Sequence, residues 1–241
     1  MSVPESPEES LRRVWSAVAS ALGDGSGGTD ALALVGQVST HLLPVDGVSI
    51  SLVDGARTRE TLYASDGLSD RIQRLQCSLG EGPSFEAYEA RRPVLISDLA
   101  AHRGARWPVF AGEVGAYPVG AIFAFPLQRG AIGIGGLDLY RSEPGWLSAE
   151  EVATALRIVD IATLALLALR MDSLHGERVV SLPREHAQVH QATGMLIAGL
   201  GVTAEQALAK LRAHAFSVGR MVDEVADDLV AGRLVPADIE L

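Results

Sequence analysis

Cysteine is nearly missing from this chain: Cys77 stands alone among 241 residues. That excludes an internal disulfide and fits a reducing compartment. Lysine is as scarce, with Lys210 the single one, so nearly every basic residue is an arginine. Aromatic residues make up 5% of the chain. Positive charge is in deficit, with a formal net charge of −10, so the molecule as a whole has no field that draws nucleic acid or an anionic membrane. The start of the chain has no charged-then-apolar leader. Its most apolar run, Ile161 to Leu169, is far short of the roughly twenty residues that span a bilayer. These absences predict a cytoplasmic protein with no membrane partner.

Chemistry-bearing groupings are thin as well. His186 and His190 lie one helical turn apart, a spacing that can pinch a metal, but no neighbouring carboxylate or cysteine completes a site. His41 and His102 are single histidines, read as surface residues. Gly80-Glu81-Gly82-Pro83 has no following lysine, so it is a structural turn and not a phosphate loop. Gly133, Gly135 and Gly136 fall inside a strand pair, where they permit a bulge or a close approach and form no dinucleotide fingerprint. No Ser-His-Asp or Cys-His grouping stands out. The chain reads as a non-enzyme with no expected metal and no identifiable cofactor.

What is present is apolar and periodic. Hydrophobic residues make up 48% of the sequence, enough for one large and one small domain. Ser6, Pro7 and Glu9 spell a helix start, and Leu11, Val14, Trp15, Val18 and Leu22 form its stripe. A glycine-rich break over 23–28 follows. Thr29-Asp30 reopens a helix that ends before Pro44. Then the period drops to two: Val48, Ile50 and Leu52 alternate with serines, and residues 58–64 return as a second strand. A helix over 68–76, a helix start at Pro83, and strands at 94–96, 119–127 and 132–140 complete a large α+β unit. Ser148, with Glu151 three residues on, caps a final helix running to about Leu174. Its middle is apolar all round and demands cover on every side, for which pairing with a second copy is the expected solution.

The words GEGPSFEAYEARRPVLISDLAAHRGARWPVF and PVGAIFAFPLQRGAIGIGGLDLY resemble a GAF domain, with the likeness covering about residues 28–171. It implies a small-molecule pocket between sheet and helices, and an exit helix that passes occupancy to an output domain. The pocket is expected around Cys77, Trp107, Phe123 and Phe125, the two phenylalanines sharing one strand face. The ligand's identity is not implied. One enzyme class on this fold, the free methionine sulfoxide reductases, relies on a second resolving cysteine, which this chain lacks.

The last quarter reads as three short helices. Val189, Ala192, Leu196, Ile197 and Leu200 form the first stripe, Ala207, Leu208, Leu211 and Ala215 the second, and Val222, Val225, Ala226 and Leu229 the third. Gly199 and Gly201 stop the first helix, Thr203 and Gln206 form a capping box, and Gly219 separates the third. The pattern QATGMLIAGLGVTAEQALAKLRAHAF with VADDLVAGRL resembles an ANTAR domain, a module implied to bind RNA and control transcription antitermination. Thr193 stands where many members have lysine, and helix three carries acids where many have basic residues. Between Arg184 and Arg233 five cations face six anions, and Phe216 is the one aromatic. The RNA contacts expected are Thr193, Lys210, Arg212, His214 and Arg220: Lys210 and His214 are four apart on one face of the second helix and Arg212 flanks it. The partner the resemblance implies is a hairpin leader transcript and not DNA. The competing reading is a bundle that binds a protein partner.

The resulting domain expectation is an N-terminal helix and break at 1–27, a GAF sensor at 28–171, a connector at 172–183 and an all-α ANTAR unit at 184–241. The sensor is expected as an antiparallel sheet flanked by helices, with a long connecting helix leading out.

Overall fold

The computed structural model describes residues 7–24, 28–54, 58–102, 106–174 and 184–239. From residue 175 onward, the connector expected over 172–183 lies outside the described residues.

Five strands form one antiparallel sheet in the order β2-β1-β5-β4-β3: β1 (Gly47–Asp54), β2 (Thr58–Ala64), β3 (Val94–Ile96), β4 (Ala121–Arg129) and β5 (Ile132–Arg141). Side chains alternate across such a sheet, so each strand serves two layers. Val48, Ile50, Phe123, Phe125, Leu127, Leu137 and Leu139 point into the first core. That core is closed by α1 (Pro7–Asp24), α2 (Gly28–Leu42) and α6 (Ala149–Leu174). Ile122, Ala124 and Tyr140 point the other way. There they meet α3 (Gly67–Leu79), α4 (Pro83–Ala90) and α5 (Pro108–Val114).

Local capping explains where the helices start. Ser148 Oγ accepts from the Glu151 amide at 3.2 Å and the Glu151 carboxylate answers from the Ser148 amide at 2.6 Å, as the sequence spacing predicts. Asp66 caps α3 in the same reciprocal way with Ser69. The helix α5 is absent from the sequence reading, because seven residues are too few to show a period. Its first amides are satisfied from afar: Glu81 accepts from the Val109 and Phe110 amides at 3.0 and 2.9 Å. This gives Glu81 of the glycine turn a structural task.

The helix α6 corrects the expectation that it requires a second copy. Ala162, Ala165 and Leu166 are fully buried within this one chain, against α1, α2, β4 and β5. Leu164 and Leu167 are half-buried and pack on the same core. The helix is also longer than the apolar run suggests. Its segment Ala149–Arg170 is long and apolar enough by length and composition to cross a membrane, yet half of it is buried inside the fold.

The C-terminal bundle consists of α7 (Arg184–Leu200), α8 (Ala204–Ser217) and α9 (Val222–Val230). Ala192, Leu196, Leu211, Val225 and Leu229 fill its core, and a 3-10 turn at Pro236–Ile239 closes it with the buried Ile239. The Thr203–Gln206 box is formed, with hydrogen bonds of 3.2 and 3.0 Å.

Candidate functional site

Under the α3–α4 side of the sheet lies a buried polar cluster. Arg59, on β2, is 3% exposed and donates to the Ser84 hydroxyl at 2.7 Å and the Ser84 carbonyl at 2.8 Å. Its guanidinium lies 4.4 Å from the Phe85 ring centre and 5.2 Å from that of Tyr88, within cation–π range. Gln76, fully buried on α3, accepts from the Ser84 amide at 2.8 Å and donates to Asp138 at 3.4 Å. Glycines admit this packing: Gly82 sits at φ 136°, and a Cβ there would fall 2.5 Å from the Gln76 side-chain oxygen.

Burial pushes Asp138 up to about 6, although Arg59, Ser84 and Gln76 all pull its pKa down. Burial pushes Arg59 below its ordinary value, with Asp138 opposing that shift. The side-chain atoms Ser51 Oγ, Gln73 Nε2 and one Asp138 oxygen are buried with no protein partner. Unpaired polar atoms in an interior are normally met by water or a ligand.

The helical bundle packs on the outer wall of this cluster. Arg212 of α8 donates from Nε to the Cys77 carbonyl at 2.9 Å, and its guanidinium lies 5.7 Å from the same Phe85 ring that Arg59 covers. Arg74 of α3 pairs with Asp223 of α9 at 2.6 Å. Ser78 accepts from the Val222 amide at 3.0 Å and meets the Met221 sulfur at 3.3 Å. Met221 itself is buried within the apolar cluster of the sensor. Between Arg59, Cys77, Leu208 and Arg212 remains a cavity of about 20 Å³, room for one water.

The residues expected in the pocket are not brought together. Phe123 and Phe125 do share a face and are buried, but that face belongs to the α1–α2–α6 core. Cys77 and Trp107 lie across the sheet from them. Alternation told which residues share a face and could not tell which layer covers it. Trp107 adopts a left-handed φ of 46° at the start of α5 and packs on the apolar cluster beside α3. The Cys77 thiol is pushed up to about 11 by burial and contacts the Arg59 carbonyl at 3.8 Å. A thiol so protonated is no ready nucleophile.

The RNA-contact candidates are dispersed too. Thr193 is buried and bonds back to the Val189 carbonyl at 2.6 Å. Arg212 is under the sensor, while Lys210 and His214 are half-buried on α8. Arg220 is held by Asp228 at 2.6 Å and by the Glu224 carbonyl at 3.1 Å. Helix three's acids do not all face outward: Asp223 is buried against Arg74, while Asp227 and Asp228 bind Arg233. The side chain of His186 lies outside the described residues, and no cluster of three metal-ligating side chains occurs among those described. Sequence reading missed Arg59. Its signal was two successive charges, Arg59-Glu60, within a strand; the sheet is covered on both faces and both are buried, Glu60 at 6% exposure.

A sheet with an interior polar cluster, walled by a docked helical bundle, defines a sensor domain joined to an output module. A family model described as a GAF domain matches residues 29–167, and one described as an ANTAR domain matches residues 182–230. The chain belongs to the GAF domain family and carries an ANTAR domain behind its sensor. It is a signal-regulated ANTAR-type regulator, built from two regulatory domains. Solved structures that share the sensor's fold include the following three. The GAF domain from an Acinetobacter phosphoenolpyruvate-protein phosphotransferase is 14% identical, covers 68% of this chain and 94% of its own, and has a TM-score of 0.53. The corresponding domain from Coxiella burnetii is 16% identical with coverage of 70% and 99% and a TM-score of 0.53. A free methionine-R-sulfoxide reductase from Neisseria meningitidis, in complex with its substrate, is 17% identical with coverage of 71% and 96% and a TM-score of 0.50. No curated protein matches the chain.

Proposed function

We propose that this protein is a cytoplasmic transcription antitermination regulator, in which the GAF domain (28–171) senses a small molecule and the ANTAR domain (184–241) binds hairpin RNA. The observation that carries the reading is the placement of the ANTAR helix α8 directly on the wall of the sensor's polar cluster, through Arg212, Cys77 and Phe85. The cluster's unpaired groups would serve a small polar ligand that accepts from Gln73 and donates to Asp138 once the cluster opens, since the cavity beside it, about 20 Å³, holds one water as it stands. The groups proposed to meet RNA are Lys210 and His214, which share one face of α8, and on its other side Arg212, seated against the sensor in this structure, with the 59%-exposed Phe216 as a stacking platform for an unpaired base.

Gel-shift titration of a two-hairpin leader RNA tests this. Because Arg220 and Arg233 are already neutralised by acids, direct phosphate contacts are few. A shallow salt dependence follows, with a logarithmic slope of roughly −3 to −5 for a dimer. Arg212→Ala weakens binding by about 1–3 kcal/mol if it reads a base. Absence of binding at low salt, with the sensor both empty and supplied with its co-purifying small molecules, would favour the protein-partner reading. The acid-bound arginines of the bundle are what speaks for that second reading.

The active species is proposed to be a homodimer. With the middle of α6 largely covered inside the chain, the surface that favours pairing is on α1 and the first half of α6, where Trp15 is 49% and Leu156 is 44% exposed. Sedimentation at micromolar concentration should show a dimer, and Trp15→Glu a monomer with unchanged melting. A wild-type protein that sediments as a monomer refutes this. Charged substitutions at Leu164 or Leu167 would unfold the core instead of separating subunits, since both pack into it.

A further inference from the structure

Helices α3 and α5 of the sensor and α8 and α9 of the bundle border a cavity of about 290 Å³, separate from the polar cluster under the sheet. We propose that it is a second small-molecule site, one that takes a zwitterion with an apolar body, such as an aromatic amino acid. The inference does not depend on the RNA-binding reading.

Its surface is largely apolar. Leu75 and Leu79 of α3 line it together with Met221. Phe216, near the end of α8 and 59% exposed, adds an aromatic ring. Gly219, at φ 67°, turns the chain between α8 and α9 and so brings Phe216 and Met221 to one cavity. The volume lies near the lower end of the range for small-molecule pockets, and a place between domains is a preferred one for them.

The polar groups decide the class of ligand. Arg71 of α3 donates from Nε to the Tyr117 hydroxyl at 3.1 Å, and its guanidinium lies 5.9 Å from that ring. This orients the side chain and leaves its two terminal nitrogens without a partner among the described residues. A planar guanidinium with unused donors is matched by a carboxylate. Glu113 of α5, exposed on the same cavity, also has no partner among the described residues. Its carboxylate suits an ammonium group.

The remaining charges of the lining are engaged. Arg220 is held by Asp228 at 2.6 Å, and Glu224 accepts from the Met221 amide at 3.0 Å. A dianion such as a phosphate ester would meet the carboxylates of both Glu113 and Glu224, and like charges set together disfavour it. A ligand with one charge of each sign satisfies Arg71 and Glu113 together and lays its apolar body on Leu75, Leu79 and Phe216.

Equilibrium dialysis of the full chain against L-tryptophan tests the site, with tryptamine and 3-indolepropionate as probes that each lack one charge. We expect a dissociation constant of about 0.1 mM for L-tryptophan and binding about tenfold weaker for each single-charge probe. Arg71→Met should weaken L-tryptophan about tenfold and abolish its advantage over tryptamine. Glu113→Gln should do the same for its advantage over 3-indolepropionate. Phe216→Ala weakens all three probes about fivefold. Melting curves confirm that the variants are folded, and Glu113→Gln, on the surface, keeps the test open if Arg71→Met is not. No retention of L-tryptophan at millimolar concentration overturns the site. Equal binding of the three probes, or wild-type binding in both charge variants, overturns recognition by opposite charges. Binding lost in Asp138→Asn and kept in Arg71→Met assigns the ligand to the polar cluster, which overturns this site and leaves the sensor reading standing.

Discussion

Arg59→Ala lowers the stability of the sensor by about 3–5 kcal/mol, the range for removing one partner from a buried charge network. The guanidinium is almost wholly buried, so no solvent replaces it. Its loss leaves the Ser84 hydroxyl and carbonyl without their donors, at 2.7 and 2.8 Å, and uncovers two aromatic rings. Asp138 loses the positive charge that most lowers its pKa. Arg59→Lys keeps the charge but not the planar fork that serves both Ser84 acceptors, so it recovers only part of the loss. Urea unfolding with an unchanged m-value is the measurement. A shift below about 1 kcal/mol would place the loss in the range of ordinary surface contacts and show that the cluster is hydrated.

The second large effect is a stability that declines as pH rises through the acid range. Asp138 is held near 6 in the fold, mainly by burial, against about 3.9 in an unfolded chain. A carboxyl whose folded pKa is raised binds its proton more tightly in the native state. Its contribution is full below about pH 4 and is lost as pH climbs through about 6. Two pKa units correspond to about 3 kcal/mol. Asp138→Asn cannot ionise, so the difference in unfolding free energy between wild type and this variant should change by about that amount between pH 4 and 7. A flat difference across the interval would mean that Asp138 is ionised throughout, fully compensated by Arg59.

Much of the architecture is local in origin and was therefore legible. Period-two alternation located β1, with β2 read as its return, and Ser148, Thr203 and the glycines at 201 and 219 marked helix ends that the structure reproduces. The two family patterns were legible for the same reason, as contiguous words of sequence. The site was not. Its members come from β2, α3, α4 and β5, and Arg59 meets Ser84 across 25 positions. The RNA candidates were chosen as exposed cations and polar groups near one another on two helices. Thr193 instead turned inward to its own helix, and Arg212 reached 135 positions back to Cys77.

The sequence by itself determined most of the elements, the caps at Ser148 and Thr203 and the pairing of a sensor with a helical output module, because each of these is written in residues within a few turns of one another. Only the tertiary structure decided which layer covers each sheet face, that α6 is covered within one chain, and that Arg212 is seated on the sensor. Those outcomes depend on the burial of polar and apolar groups contributed by distant elements, and no local period records what a face will meet.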